Sequence, residues 1–383
     1  MKELLISQEE DLRKIYLIEN EKLAEYYEEK VESNSIEGNI YVGKVQNIVP
    51  GLEAAFINIG EDKNVFIHRK DLLNNDFDLP INKVIKPGDK ILVQVIKDKI
   101  QRKGAKVSEK ISLRGKLVVL HPNRKFITVS SKITDEERKK ELKALLKNIL
   151  PEGMGAIART NSTTATREEI EKDLKNLISR WEYIRNVKIE EYPKKIYDSG
   201  GILNKMITDL SDYNLEKIVV NTVELKDKVI NLLGQIGGNL PVEISETDYN
   251  YKYNISNEIP KIEKNKLWLD SGGFITIDYT EALTAIDVNT GKFIGKNNLE
   301  DTIYKVNEEA VLEIAKQMRL RDIGGIIIVD FIDMKSPEDM ENIILKFKEE
   351  ALKDRSKVQI EGFTKLNLLE LTRKRIFIKE NEE

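Results

Sequence analysis

With 383 residues, 40% of them apolar and 33% charged, the chain is long enough for more than one folded unit and too apolar for wholesale disorder. It has no cysteine and only two histidines. The absence of cysteine excludes a disulfide scaffold, a thiol nucleophile and a cysteine-based metal site, and two histidines argue against a multi-histidine site. Any metal must therefore bind oxygen ligands, as Mg²⁺, Mn²⁺ or Ca²⁺ does. The net charge of −4 suits a polyanion ligand only where basic residues cluster locally.

Neither a secretory signal nor a membrane span is indicated. Acidic side chains occur within the first ten residues, where a signal peptide would need its apolar core. No apolar run approaches the roughly 18 residues of a membrane span. We therefore expect a cytoplasmic protein without membrane contact.

Short strand-like segments separated by turn residues dominate the first third of the chain. Turn signals occur at Pro50-Gly51 and Pro87-Gly88. Such a pattern is typical of a small β-barrel. An acidic amphipathic stretch spans Glu19–Glu32. The predicted strands are Glu3–Ile6, Lys14–Glu19, Asn39–Ile48, Glu53–Ile59, Asn64–His68, Lys90–Ile96, Lys110–Leu120 and Lys125–Ser130.

Helical patterns enter in the middle of the chain. Thr134 with Glu137, and Thr166 with Glu169, have capping-box spacing, and each pair precedes a helical pattern. In the last third, helices and strands alternate, which predicts an α/β or α+β layer. The predicted elements are the helix Thr134–Leu150, the strand Ala156–Thr160, the helix after Thr166, the strand Ile218–Asn221, the helix after Leu225, the hairpin Lys266–Val288, the helix Leu299–Arg319, an Ile-rich strand, the helix Pro337–Asp354 and the strand Val358–Gly362.

Aromatic side chains in the predicted barrel indicate nucleic-acid binding. Phe66 and His68 share one face of a strand, and Phe56 lies on the expected neighbouring strand. The segment Lys97–Lys116 is strongly basic. A stacking surface beside a positive patch is what single-stranded RNA requires. In the alternative reading both phenylalanines belong to the barrel core and the basic segment is merely a solvated face.

Two apolar strand patterns end in aspartate. Asp287 and Asp330 each close such a pattern, and an ionised carboxylate at the edge of a buried strand is costly unless it is paired or holds a metal. On adjacent strands the two could bind one Mg²⁺. Asn289, two residues beyond Asp287, projects on the same face and could orient it.

Other roles for these carboxylates stay open. Asp287, Asp330 and the nearby Asp333 could cap strand ends or pair with Arg319 or Arg321. A carboxylate-pair glycosidase is disfavoured, because its acids face an aromatic-rich cleft and aromatic residues make up only 7% of this chain.

The segment Gly153–Thr160 resembles a dinucleotide fingerprint only superficially. Its glycines precede a strand rather than a helix, and the third glycine is missing. Arg159 followed by Thr160 combines a guanidinium with a hydroxyl, which suits a terminal phosphate. The alternative is an ordinary surface arginine.

Several of these segments together resemble the ribonuclease E/G family. The pattern from Gly38 to His68 resembles the family's S1-type RNA-binding OB fold. Ile277–Asn289 and Leu320–Met334 match signature blocks of its catalytic domain, and Gly153–Thr160 resembles its 5′-sensor segment. The resemblance implies a Mg²⁺-dependent endoribonuclease of rRNA and mRNA processing and decay. It would cleave single-stranded RNA, prefer 5′-monophosphorylated ends and leave 5′-phosphate products.

The resemblance also implies roles for individual residues. Asp287 and Asp330 match the Mg²⁺ ligands, with Mn²⁺ as a possible substitute, and Asn289 matches the residue that orients the first ligand and the attacking water. Asp333 is in the motif without a ligand role. The remaining assignments are 5′-phosphate sensing by Arg159, Thr160, Gly115 and Val119, and RNA contact by Phe56, Phe66, Lys103, Arg355 and Lys357, where lysine at 357 replaces an arginine of the family.

The implied fold is an α+β multidomain chain with the S1-type barrel inserted into a ribonuclease H-like and 5′-sensor region, followed by a DNase I-like catalytic domain. Well-known members continue with a Cys-Pro-x-Cys zinc element and a small dimerisation domain, which are lacking here, so we expect no zinc and either a monomer or a homodimer that is not zinc-linked. The predicted boundaries are 1–36 and 204–262 for the ribonuclease H-like subdomain, 37–110 for the S1-type domain, 111–203 for the 5′-sensor region and 263–383 for the catalytic domain.

One further function remains open: a non-catalytic RNA-binding accessory factor that keeps the fold. Retention of Asp287, Asn289 and Asp330 together argues against it.

Overall fold

A computed structural model of the chain describes residues 1–31, 35–74, 79–98, 104–187, 192–210, 215–236, 238–245, 252–291 and 299–376. The chain divides into two compact units. The first contains Met1–Glu28, Glu216–Thr222 and the described residues from Glu243 onward, and the second contains Glu29–Leu215 and Val223–Val242. Among the described helices, none combines the length and apolar character that crossing a membrane would need.

The described strands and helices largely follow the predicted order. The strands are β1 (Lys2–Glu9), β2 (Leu12–Glu19), β3 (Lys22–Lys30), β4 (Ile40–Val49), β5 (Ala54–Asn58), β6 (Val65–His68), β7 (Lys90–Lys97), β8 (Lys106–Ser108), β9 (Leu113–Arg114), β10 (Val118–His121), β11 (Ile127–Val129), β12 (Gly155–Ala158), β13 (Lys194–Tyr197), β14 (Lys217–Val220), β15 (Val242–Ile244), β16 (Lys266–Trp268), β17 (Phe274–Tyr279), β18 (Leu283–Asn289), β19 (Gly325–Asp330), β20 (Val358–Phe363) and β21 (Leu368–Arg373). The helices are α1 (Ile81–Val84), α2 (Glu136–Ile149), α3 (Arg167–Arg185), α4 (Gly201–Leu210), α5 (Val223–Gln235), α6 (Ile255–Ile262), α7 (Leu299–Leu320) and α8 (Pro337–Lys353).

The N-terminal strands belong to a five-stranded sheet with the order β15-β14-β1-β2-β3. β1 pairs antiparallel with β2 and parallel with β14, which lies more than 200 residues later. The acidic amphipathic stretch predicted at Glu19–Glu32 is largely the strand β3, in which Tyr26, Tyr27 and Glu25 are buried. Because consecutive residues of a strand point to opposite faces, the burial of all three shows that both faces of β3 are covered at these positions.

The last third of the chain forms a mixed six-stranded sheet with the order β16-β17-β18-β19-β21-β20. β18 and β19 are parallel, whereas the other neighbours are antiparallel. Val306 and Ile314 of α7 and Phe347 of α8 pack against Ile275 and Ile286 of the sheet in one core. The predicted alternation of helices and strands is confirmed, and the finer DNase I-like assignment stays a prediction.

A buried arginine connects three segments of this sheet region. Arg373 lies on β21, a strand that the sequence analysis did not predict, and its guanidinium forms ion pairs of 2.6 Å with both Asp322 and Asp354. The strand register turns its side chain inward, where two carboxylates neutralise it.

The second unit contains the predicted β-barrel. β4, β5, β6, β8 and β7 follow one another, and β7 pairs back with β4, so the strands close on themselves. The barrel core includes Tyr41, Val45, Ile57 and Ile67. The small barrel predicted from short strands and turn residues is confirmed.

A four-stranded sheet with the order β11-β12-β10-β9 lies in the same unit and carries α2 and α3. The Thr166–Glu169 capping box at α3 is confirmed. The capping box predicted at Thr134 is wrong: Asp135 caps α2 and accepts hydrogen bonds from the amides of Glu137 and Arg138. A carboxylate one residue closer to the helix is the stronger acceptor at a positive helix end.

Candidate functional site

Two aspartates meet at one end of the parallel strand pair β18–β19. Asp287 and Asp330 are directly opposed in the register, and both are exposed. The side-chain amide of Asn289 donates a hydrogen bond to Asp287 Oδ2, as the second-neighbour spacing predicted. The three residues border a cleft of about 280 Å³ that is lined by Asp287, Val288, Asn289, Thr290, Asp330, Phe331, Ile332 and Asp333.

The cleft is strongly electronegative. Partial burial, then the charges of Asp287 and Asp333, raise the pKa of Asp330 above its usual range. Among the described residues no basic side chain forms an ion pair with these aspartates, and no cluster of three or more side chains with metal-ligand geometry is found. The repulsion that helps to raise the pKa of Asp330 is relieved when a cation binds between the carboxylates. Two carboxylates at an open cleft therefore suit a hard divalent cation that keeps part of its water shell.

The alternative in which arginines neutralise these aspartates is wrong. Arg319 forms ion pairs with Glu19 at 2.8 Å and Glu25 at 3.3 Å. Arg321 donates to Gln317 and to backbone carbonyls. The aspartates do occupy strand ends, but they face the cleft.

The predicted aromatic surface lies on the outside of the barrel. Phe56 and Phe66 are opposed on β5 and β6, with ring centroids 6.0 Å apart in an edge-to-face arrangement. Both rings are half-buried, whereas Val65 and Ile67 alternate into the core. The alternative of a core position for Phe66 is therefore disfavoured, and His68 shares its face as predicted.

The basic segment near the barrel is only partly available to a ligand. Lys106 forms an ion pair of 2.8 Å with Asp71, and the Lys110 ammonium donates to the carbonyl of Lys70. Lys97 is exposed. Lys103, predicted to contact RNA, lies outside the described residues.

The predicted phosphate-sensing residues come together at the edge of the four-stranded sheet. Arg159 donates to the carbonyl of Gly115 at 2.7 Å and to Asp209 at 2.5 Å. The Thr160 hydroxyl lies 3.0 Å from the hydroxyl of Ser130. Val119 is half-buried on β10, opposite Ile157 of β12. The ordinary surface arginine proposed as the alternative is wrong, because this guanidinium is held on two sides.

Asp173 was missed by the sequence analysis. Its carboxylate accepts hydrogen bonds from the amides of Lys116, Leu117 and Val118, at 3.1, 2.8 and 2.9 Å. Burial raises its pKa, although these amides oppose the shift. Asp173 thus fixes the loop that begins at Gly115. A lone aspartate in the amphipathic helix α3 gave no signal for this role.

Arg355 and Lys357 differ in their surroundings. The Arg355 guanidinium donates to Glu25 at 2.7 Å and to the Tyr27 hydroxyl at 3.2 Å, and its side chain is only 9% exposed. Burial alone would raise the pKa of Glu25, but Arg355 and Arg319 hold it below its usual range. Lys357 is exposed. RNA contact by these two residues stays a prediction, and Arg355 has a clear structural role.

Two family models match this chain. Residues 35–110 match the model of the S1 RNA binding domain, which covers the closed barrel and its paired phenylalanines. Residues 112–376 match the model of the Ribonuclease E/G family. The chain belongs to the Ribonuclease E/G family.

Curated relatives agree over most of the chain. Ribonuclease G of Haemophilus influenzae is 34% identical over 390 residues, which cover 97% of this chain and 79% of the relative. Ribonuclease G of Escherichia coli K12 is 31% identical over 392 residues, covering 97% and 80%. Ribonuclease E of Synechocystis sp. is 36% identical over 354 residues, covering 88% of this chain and 52% of the relative.

Proposed function

We propose that this endoribonuclease uses Mg²⁺ to cleave single-stranded RNA in the processing and decay of rRNA and mRNA, and that it prefers 5′-monophosphorylated ends. The observation that carries the proposal is the in-register pair Asp287 and Asp330 at an open cleft. Family membership favours an enzyme over a non-catalytic accessory factor.

Asp287 and Asp330 would hold the cation, with Mn²⁺ as a possible substitute. Asn289 restricts the rotation of the Asp287 carboxylate by its hydrogen bond, so the oxygen that faces the cleft is fixed. When bound, Mg²⁺ would polarise a phosphodiester oxygen and acidify the attacking water. Asp333 adds negative charge to the cleft, and we assign it no ligand role.

The reaction is a hydrolysis. The oxygen of water forms a bond to phosphorus while the bond from phosphorus to the 3′ oxygen breaks. The leaving 3′ oxygen takes up a proton, so the upstream product ends in a 3′ hydroxyl and the downstream product begins with a 5′ phosphate. The residues of the cleft do not become covalently attached to the RNA in this scheme.

Two further sites of the second unit would recognise the substrate. We assign stacking of unpaired bases to Phe56 and Phe66, together with Lys103. We assign the 5′ monophosphate to Arg159 and Thr160, with Gly115 and Val119 contacting the terminal nucleotide. The assignment of Arg159 is supported by its guanidinium, which the Gly115 carbonyl and Asp209 hold in place. Lys357 and Arg355 are proposed to contact RNA near the cleavage site.

The organisation of the chain is also a proposal. We assign 1–36 and 204–262 to a ribonuclease H-like subdomain, 37–110 to the S1-type domain, 111–203 to the 5′-sensor region and 263–383 to a DNase I-like catalytic domain. The monomeric or non-zinc-linked dimeric state and the cytoplasmic location stay predictions from the sequence.

The test is cleavage of a short fluorescent single-stranded RNA by wild type and Asp287→Asn. We expect the variant to lose roughly 100-fold or more in kcat, because removing one group that stabilises transition-state charge has effects of about this size. Asp278→Asn changes an exposed aspartate on the neighbouring strand β17 and should stay within about twofold of wild type. EDTA should abolish cleavage, and Mg²⁺ or Mn²⁺ should restore it. Equal rates for wild type and Asp287→Asn would refute the assignment.

A further inference from the structure

An exposed tryptophan stands near the acidic cleft. Trp268 closes β16 and is 61% exposed, whereas the chain's other tryptophan, Trp181, is 9% exposed in a core. A large exposed aromatic side chain offers a flat face on which a ligand can stack. None of the roles assigned above uses it.

The strand register connects Trp268 to the cleft. Trp268 is opposed to Phe274 on β17, and Phe274 is opposed to Asn289 on β18. Directly opposed residues of antiparallel strands share a face, so these three side chains form a row across the sheet. Two strand spacings amount to roughly 10 Å, the distance from Trp268 to Asn289 along this row. Side chains that project from the other face of the sheet, such as Ile275, lie in the core.

The two rings and a lysine form one surface. The centroids of Trp268 and Phe274 are 5.3 Å apart at an interplanar angle of 64°. The Lys266 ammonium lies 3.4 Å from the Phe274 centroid and 4.5 Å from the Trp268 centroid. Because Lys266 and Trp268 are two residues apart on β16, both project from the same face.

The aromatic pair is continuous with the cleft. Gly291 directly follows Thr290, which lines the cleft. A Cβ added at Gly291 would lie 3.4 Å from Cζ3 of Trp268, so the indole ring lies beside the backbone that leaves the cleft. A chain that leaves the carboxylates along this face meets the rings next.

We propose that Trp268 and Phe274 stack an unpaired base next to the scissile phosphate, and that Lys266 neutralises a neighbouring phosphate of the same strand. This proposal rests on the proposed function, since it takes the strand in the cleft to be RNA. It adds a nucleotide subsite in the catalytic region, separate from the phenylalanine pair of the barrel. Stacking tolerates any base, because every base has a π face, so the subsite would hold the strand without selecting a sequence.

A protein partner fits this surface less well. An aromatic side chain buries roughly 150–250 Å². Two such rings fall short of the roughly 1,200 Å² that a specific protein interface buries. The adjoining lysine and the continuity with a nuclease cleft suit a nucleic-acid strand.

The first test uses tryptophan emission, which does not depend on cleavage. In Asp287→Asn with Mg²⁺, titration with a short single-stranded RNA should quench the exposed Trp268 saturably, while the buried Trp181 serves as an internal reference. The same titration of Asp287→Asn combined with Trp268→Phe should leave the remaining emission unchanged. If RNA binds by fluorescence anisotropy and Trp268 emission does not change, the subsite is refuted.

The second test is kinetic. Trp268→Ala should raise KM for single-stranded RNA roughly 5- to 150-fold, the range expected from stacking energies. Trp268→Phe should show a smaller increase in KM. The matched control is Tyr279→Ala. Tyr279 is a 51% exposed aromatic residue of β17, and it lies five residues from Phe274, so its side chain projects from the other face of the strand. An RNA with an abasic ribonucleotide beside the cleavage site should show a raised KM with wild type and little further change with Trp268→Ala.

The outcomes separate the two proposals. Quenching of Trp268 by RNA without any Mg²⁺-dependent cleavage would refute the proposed function and leave the binding site. Cleavage with an unchanged KM in Trp268→Ala would refute the subsite alone. Emission from Trp268 that depends on protein concentration without RNA, together with dissociation of oligomers in Trp268→Ala, would overturn the subsite in favour of contact between two copies of the chain.

Discussion

Arg159 provides the sharpest test of the 5′-end preference. Its guanidinium already donates to the Gly115 carbonyl at 2.7 Å and to Asp209 at 2.5 Å. These two bonds fix the plane of the guanidinium before a ligand arrives, so a terminal phosphate would bind a group that has little freedom left to lose. Arg159→Ala removes the charge and the donors together.

The expected loss of affinity follows from the hydrogen bond that the guanidinium would donate to the terminal phosphate. A hydrogen bond to a charged group contributes roughly 1.5–3 kcal/mol. This corresponds to roughly 10- to 150-fold in affinity. We therefore expect Arg159→Ala to lower by this factor the ratio of kcat/KM for 5′-monophosphate RNA over 5′-hydroxyl RNA. Arg159→Lys keeps the charge without the planar fork and should give an intermediate ratio.

The assay compares two RNAs of one sequence that differ only at the 5′ end, cleaved by the same enzyme preparation. Any loss of folded protein from leaving Asp209 with fewer partners lowers both rates equally and cancels in the ratio. Arg138 is a matched control, since its guanidinium donates to the carbonyls of Ser162, Thr163 and Ala165. Arg138→Ala should lower the rates of both RNAs alike. An unchanged ratio in Arg159→Ala would refute the sensing role.

The remaining predictions concern the same unit. A Cβ at Gly115 would lie 2.5 Å from an oxygen of Asp173, so Gly115→Ala should displace that carboxylate from its three amide donors. The variant should then show a lower ratio of kcat/KM for 5′-monophosphate RNA over 5′-hydroxyl RNA. A ratio equal to that of wild type would contradict this. Burial, followed by the charge of Arg124, lowers the pKa of His121 to about 4. As the pH falls from about 6.5 towards 4, this histidine is protonated in the unfolded chain but not in the folded protein, so the folded protein loses stability. The free energy of unfolding, measured by urea titration, should fall by about 1–2 kcal/mol between pH 7 and pH 5 in wild type and by less in His121→Phe. Equal losses in both proteins would contradict this role of His121.

Local sequence patterns were sufficient where a role depends on spacing within one strand or one helix end. The shared face of Phe66 and His68, the hydrogen bond from Asn289 to Asp287 and the capping box at Thr166 all follow from the period of a strand or the first turn of a helix. The position of Asp330 at the end of an apolar strand was visible in the same way. Such patterns depend on backbone geometry that every strand or helix repeats.

The tertiary structure alone decided the partners that lie far apart in the chain. Arg373 pairs with Asp322 and Asp354, and Asp173 holds the loop that begins at Gly115, although no local sequence pattern connects these partners. The row from Trp268 to Asn289 depends on the register of two strand pairings. A shift of one residue in either pairing would turn these side chains to the opposite face, and the turns together with the burial of the other face hold the register. Hydrogen-bond pairing between distant segments and the neutralisation of buried charge are settled only when the whole chain folds.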